Sequence, residues 1–181
     1  MKTFYIVRHA KAEGQPFHAR LTDEGKRQAE NLAKFLSSFP IERIISSPFV
    51  RAKETIEPYA KKMGLPIELD DRLGERVLST TRFSDWKERL KKSFEDFSLT
   101  FEGGESNQQG FDRAKSLIEE LLSSSSQHIV LVSHGNLTTL LLKYFDDSYG
   151  FEHLLKLTNP DVFQVICKDR GTFEVKRIWD L

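Results

Sequence analysis

Cysteine is the first shortage: Cys167 is the only one in 181 residues, which forbids an internal disulfide and any cysteine-rich zinc site. Cys167 stands in an apolar alternation and is expected to act as a small buried hydrophobe. Long apolar runs are also missing. None approaches the roughly 20 residues of a membrane span, so no membrane partner is expected. The start, Met1 to His9, lacks a secretory apolar core with a cleavage site, and the cytoplasm is the expected location. Nor is there an excess of either charge, because 27 Lys+Arg face 27 Asp+Glu. That balance removes the broad basic field of a nucleic-acid binder, so any anion must be held by a local cluster. No metal-ligand spacing such as H-E-x-x-H and no internal repeat is found.

What remains, 39% apolar and 30% charged residues, is the composition of a single domain over 1–181. Phe4-Tyr5-Ile6-Val7 is a short buried strand ending at Arg8-His9. Ala29, Leu32, Ala33 and Leu36 then recur at helical spacing, with Thr22 as N-cap and Asp23 and Glu24 in the first turn. Arg43 to Ser46 is a second strand, after which Ser47 as cap and Pro48 at the first helical position are expected to open a helix to about Met63. Pro66 to Leu69 suits an edge strand.

Residues 76–110 break this alternation. Phe83, Trp86, Leu90, Phe94 and Phe97 form a helical stripe before a Gly103-Gly104 loop, which is expected to be a short helical lid packing on that stripe. A capping box, Ser106 to Gln109, opens the next helix. Four serines, 123–126, form a solvated turn before the strand His128 to Val132, which runs into Ser133-His134-Gly135 and a Leu-rich helix from Asn136. Phe163 to Cys167 and Phe173 to Ile178, joined at Asp169-Arg170-Gly171, read as a terminal antiparallel hairpin. The expected fold is α/β, a three-layer sandwich with a largely parallel central sheet and helices on both faces.

Ligands of such sheets sit beyond the carboxyl ends of the parallel strands. Three of the expected strands end at Arg8-His9, at Ser46-Ser47-Pro48 with Arg51 close behind, and at Ser133-His134. Two guanidiniums and two imidazoles sharing a crevice repel one another unless a multiply charged anion is the guest, and phosphate matches the arginine fork. A cation such as Arg51 in the first turn of a helix opposes the macrodipole by roughly 0.3–1 kcal/mol, a cost that a bound anion reverses.

Arg8-His9, Leu21-Thr22-Asp23-Glu24-Gly25 with Gln28-Ala29, Ser46 to Ala52 with Thr55, Leu73-Gly74-Glu75, Gly103-Gly104-Glu105-Ser106 and Val132-Ser133-His134-Gly135 occur in that order. As a set they resemble the histidine phosphatase superfamily, also called phosphoglycerate mutase-like. The resemblance implies that His9 attacks phosphorus, that Arg8, Arg51 and His134 bind the phosphoryl oxygens, and that Glu75 is the general acid, with no metal and no cofactor. It also implies that a backbone carbonyl holds the other ring nitrogen of His9. Three positions depart from the family pattern: Ala10 replaces a usual Gly, Lys11 a frequent Glu, and Gln15 an Asn that touches phosphate, so Gln15 is carried over as a phosphate ligand with one extra methylene.

The expected activity is hydrolysis of phosphomonoesters, with small phosphorylated metabolites as partners. Rival readings are mutase-type phosphoryl transfer, a phosphatase of phosphohistidine on a protein, and a non-catalytic phosphate-binding module. The short lid argues against the mutase, which must exclude water. Glu105 competes with Glu75 for a place near the site and is otherwise a turn carboxylate. His18 reads as an exposed loop residue, His128 and His153 as structural or surface residues, and Lys87, Arg89, Lys91 and Lys92 as a solvated helix face.

Overall fold

The computed structural model describes residues 1–180; Leu181, the last residue of the expected 1–181 domain, lies outside them. The elements run β1 (Lys2–Arg8), α1 (Asp23–Leu36), β2 (Arg43–Ser46), α2 (Val50–Met63), β3 (Ile67–Leu69), α3 (Trp86–Glu95) and α4 (Asn107–Leu122). They continue with β4 (His128–Ser133), α5 (Gly135–Phe145), α6 (Phe151–Lys156), β5 (Asp161–Cys167) and β6 (Phe173–Arg177). One sheet has the order β3-β2-β4-β1-β5-β6. Its first four strands are parallel, and β5 and β6 add an antiparallel margin.

The period of two along each strand divides the core into two layers. Phe4 and Ile6 of β1 and Ile129 and Leu131 of β4 pack with Leu117 and Ile118 of α4 and Leu140 and Leu141 of α5. Tyr5, Val7, Val130 and Val132 point the other way, onto Leu32 and Leu36 of α1 and Ile56 and Tyr59 of α2. This is the expected three-layer arrangement, with β3 at an edge.

Caps behave as the residue chemistry dictates at two helices. Thr22 Oγ1 accepts from Gly25 N at 3.0 Å, and Ser106 and Gln109 satisfy each other's backbone N–H groups in a complete capping box. Gly25 has a second function: a Cβ there would lie 2.0 Å from the Lys11 carbonyl oxygen, so only glycine lets α1 pack against the chain that leaves β1.

Two expectations need correction. The helix after β2 begins at Val50, with Phe49 as an N-cap that makes no side-chain bond. Ser47 does not cap it, because its hydroxyl is engaged by His134 and by Phe49 N. The aromatic stripe of the insertion is also divided. Only Trp86–Glu95 is helical, Phe83 turns aside to pair with Phe101, and Trp86 is 55% exposed. Arg89 accounts for the break, since its guanidinium lies 3.7 Å from the Phe83 ring centroid and bonds Asp85, pinning the segment before the helix. Phe94 packs on Phe97 and Phe151, docking α3 against α6. Cys167 is half-buried rather than enclosed, and burial pushes its thiol up to about 11.

Candidate active site

Register brings the site together. Arg8 of β1 pairs with Ser133 of β4, so the next residue on each strand, His9 and His134, emerges at the same level of the sheet. Their ring centroids are 5.1 Å apart. Val132, on the other side, pairs with Ser46 of β2, which delivers Ser47 and the start of α2 to the same end.

His9 is 7% exposed. Its Nδ1 donates to the Ala10 carbonyl at 2.7 Å, as the resemblance implies, and this leaves Nε2 with a lone pair. Burial first, then the charges of Arg51 and Arg8, pull the imidazole down to about 3, although the Ala10 carbonyl opposes them. His9 is therefore an uncharged imidazole at neutral pH. Arg51 Nε donates to Nε2 at 3.3 Å, occupying the direction in which the lone pair points.

His134 is fully buried, and desolvation followed by the neighbouring His9, Arg51 and Arg8 holds it well below the ordinary histidine range. Ser47 Oγ, which accepts from Phe49 N, lies 2.8 Å from His134 Nε2. The Ser47 hydroxyl hydrogen is free to donate to Nε2, and in that arrangement the imidazole N–H sits on Nδ1. That Nδ1 is buried and has no partner, and so is Nε of Arg8. Buried donors without acceptors are rare and costly, at about 1–3 kcal/mol each, and a cluster of them marks a place where an acceptor ligand belongs.

The two guanidiniums sharpen the point. Arg51, 1% exposed, is among the largest fully buried side chains, and it donates Nη1 to the Gln15 and Pro16 carbonyls at 3.0 Å. Arg8 donates Nη1 to Leu157 O at 3.2 Å. Neither forms an ion pair with a carboxylate among the described residues. Burial lowers both below the usual arginine value, with Glu75 opposing.

Glu75 sits at the N-terminus of α5. Its Oε1 accepts from Arg76 N at 2.9 Å and Leu137 N at 3.0 Å, and Oε2 accepts from Asn136 N at 3.1 Å. It thereby supplies the capping that His134 does not provide. Behind it, Arg76 is 4% exposed and donates to Asn136 Oδ1, the Glu105 carbonyl and Ser93 Oγ, so α3, α5 and the segment leading into α4 meet at one guanidinium. Burial lowers Arg76 to about 10.

Arg8, His9, Arg51 and His134 are thus brought together, with Glu75 bordering the same crevice. Gln15 is not drawn in by its amide: the side chain is exposed and makes no hydrogen bond among the described residues, and only its carbonyl meets Arg51. Glu105 is bound to Arg113 at 2.8 Å. Lys11 pairs with Glu24, and His18 is exposed beside Phe17.

Sequence reasoning missed three supports. Thr55 Oγ1 accepts from Ala10 N and donates to Arg51 O, tying the loop after β1 to α2. Asn159 Nδ2 donates to the His9 carbonyl at 2.9 Å. Ser47 is the third: its place before Pro48 suits a cap, whereas its hydroxyl faces His134. Thr55 lies one helical turn after Arg51, a spacing that could have linked them; Asn159 carries no such signal.

The profile of the histidine phosphatase superfamily (branch 1) matches residues 4–180. The chain belongs to that family. The chain is 31% identical over 150 residues to phosphoserine phosphatase 1 of Hydrogenobacter thermophilus, covering 74% of this chain and 71% of the relative. It is 30% identical over 154 residues to a probable phosphoglycerate mutase of Salmonella choleraesuis, covering 75% and 70%. The fold is shared with a mycobacterial glucosyl-3-phosphoglycerate phosphatase, at TM-score 0.81, 22% identity and coverage of 98% and 97%. Arg8, His9, Arg51, Glu75 and His134 all lie within the matched residues. No helix among the described residues is long and apolar enough to cross a membrane.

Proposed function

We propose that the chain, read as one catalytic domain with residues 76–110 inserted, is a phosphatase of small phosphomonoesters acting through a phosphohistidine at His9. The observation that carries this reading is the buried Arg51 and half-buried Arg8 guanidiniums, which have no carboxylate ion pair among the described residues, set with the unpartnered Arg8 Nε and His134 Nδ1 around a neutral imidazole. Uncompensated buried charge costs several kcal/mol, and a phosphoryl dianion removes that cost.

In the first step His9 Nε2 forms a bond to phosphorus while the ester P–O bond breaks, and the leaving oxygen takes a proton from Glu75. Arg8, Arg51 and His134 Nδ1–H receive the equatorial oxygens, donors already in place before charge develops. Arg51 Nε turns from His9 Nε2 to a phosphoryl oxygen as substrate enters, which uncovers the lone pair. In the second step water adds to phosphorus, the P–N bond breaks, its electron pair returns to Nε2, and the water proton goes to the Glu75 carboxylate. Glu75 Oε2 accepts only one backbone hydrogen bond, which leaves it a position to carry that proton. Gln15 becomes a phosphate ligand only if the chain from Gly14 to Pro16 moves its amide inward.

Hydrolysis of 4-nitrophenyl phosphate in chelator tests the reading, together with acid and base stability of the labelled enzyme after rapid quench. Label that is lost in acid, kept in base and absent from His9→Ala is the expected result. Turnover with no such label, or binding of phosphate with no turnover on any ester, overturns it. The second outcome would favour the non-catalytic binding module.

A further inference from the structure

A groove of about 510 Å³ opens beside the phosphoryl crevice, and Glu75 lines both. An aromatic path leads into it. The His134 ring is 4.6 Å from Phe49, and Phe49 is 5.0 Å from Phe17, which is 42% exposed. Val77, 48% exposed, lines the groove as well. Large apolar side chains left open to water at the mouth of a polar crevice are poised to be covered by a ligand.

Acidic side chains outnumber basic ones in the groove. Asp71 and Glu105 line it along with Glu75, and the sole cation among its lining residues is Arg113. Arg113 is already committed. Its Nε and Nη2 take both oxygens of Glu105 at 2.8 and 2.9 Å, and Nη1 donates to the carbonyls of Arg72 and Gly74, each at 2.8 Å. Asp71 is exposed and forms no ion pair among the described residues. The Gly103-Gly104 turn holds this wall in place. Gly103 has φ +67°, and a Cβ on Gly104 would lie 2.1 Å from the Leu78 carbonyl oxygen, so Glu105 is fixed by close backbone packing.

We propose that this groove receives the leaving group and selects phosphomonoesters whose leaving group is aromatic or apolar and carries no anionic substituent, with Asp71 as the residue that rejects a carboxylate or second phosphate and Glu105 as the residue that withholds Arg113 from it. This deepens the phosphatase reading and rests on it. The phosphoryl end of the substrate is served by cations, whereas the other end meets carboxylates and ring faces. A leaving-group carboxylate entering there finds an unpaired Asp71, and its one candidate partner, Arg113, is neutralised by Glu105. A like charge within about 6 Å at intermediate dielectric lowers binding roughly tenfold to a hundredfold after screening. An ammonium on the leaving group is favoured by the same carboxylates and by the Phe17 and Phe49 ring faces.

The test compares kcat/KM for four esters of one shape: phenyl phosphate, and its para-carboxymethyl, para-carboxymethyl methyl ester and para-aminomethyl derivatives. The carboxymethyl compound is expected to be at least about tenfold poorer than its methyl ester, and the aminomethyl compound equal to or better than phenyl phosphate. Asp71→Asn, at an exposed position, should narrow the gap between acid and methyl ester severalfold. Asp71→Asn with Glu105→Gln, which also releases Arg113, should close it, and added salt should narrow it in the parent. Absence of turnover on all four esters sinks the phosphatase reading itself. Turnover in which acid and methyl ester are equal, or in which Asp71→Asn leaves their ratio unchanged, overturns the groove assignment while leaving the phosphatase reading standing.

Discussion

Ser47 Oγ, just beyond β2, lies 2.8 Å from Nε2 of His134, just beyond β4, and a hydroxyl hydrogen donated across that contact puts the imidazole N–H on Nδ1. Without Ser47 the imidazole is free to place its N–H on Nε2 and present a lone pair, rather than a donor, to the crevice.

Ser47→Ala is therefore expected to lower kcat/KM for 4-nitrophenyl phosphate about tenfold, the equivalent of one hydrogen bond of about 1.4 kcal/mol. Ser47→Thr keeps the hydroxyl and should recover most of it. Steady-state kinetics on both variants decide the matter; equal losses in Ala and Thr would show a packing effect instead.

Arg51→Met removes a buried cation that lacks a counter-anion. Phosphate stabilises the parent by RT ln(1 + [L]/Kd), about 2.7 kcal/mol at a hundredfold excess over Kd, and this increment should vanish in the variant. In phosphate-free buffer the variant should lose less than about 1 kcal/mol, since relief of the buried charge offsets the two carbonyls left by the guanidinium. Urea denaturation with and without phosphate gives both numbers.

Gly25→Ala pushes a methyl group to 2.0 Å from the Lys11 carbonyl oxygen, which the chain relieves only by moving the segment after His9. A loss of about 1–3 kcal/mol in stability is expected, accompanied by a fall in kcat. Circular dichroism melts paired with kinetics test this, because α1 itself should gain helix propensity from alanine.

Protonation sets a pH signature. His9 stands at about 3 in the folded chain against an ordinary value of 6.5. A histidine lowered by folding stays neutral in the native state while the unfolded chain takes up the proton, so stability is lost as pH falls below 6.5 and the loss continues toward 3. Between pH 6.5 and 4.5 the cost for His9 is on the order of 2–3 kcal/mol, at 1.36 kcal/mol per unit. Denaturation at those two pH values should show a smaller acid loss in His9→Gln than in the parent; parallel losses would mean that other groups set the slope.

The legible parts of the molecule were those written in local pattern. Short continuous apolar runs at Phe4 to Val7 and His128 to Val132 marked two buried strands, whose two faces the structure then assigned to separate layers, and the Ser106-to-Gln109 capping box marked α4. The convergence of Arg8, His9, Arg51 and His134 was legible because parallel strands present their carboxyl ends to one side, a rule of topology rather than of sequence spacing. Long-range side-chain choices were not. Ser47 had an equally good local use as a cap, and only the packing of β4 beside β2 redirected it to His134. The stripe at 83–97 had helical spacing throughout, yet the Arg89 contacts with Phe83 and Asp85 stopped the helix at Trp86.

The position of β4 between β2 and β1 has a consequence for dissecting the chain. A cut in the turn at 123–126 would leave one piece holding Arg8, His9, Arg51 and Glu75 and another holding His134. In the first piece the strands carrying His9 and leading to Arg51 have no mutual hydrogen bonds, because β4 is the wedge that joins them. Neither half alone is expected to dephosphorylate 4-nitrophenyl phosphate, and colour from that ester would report the two halves reuniting, a two-piece sensor of the sheet's own assembly.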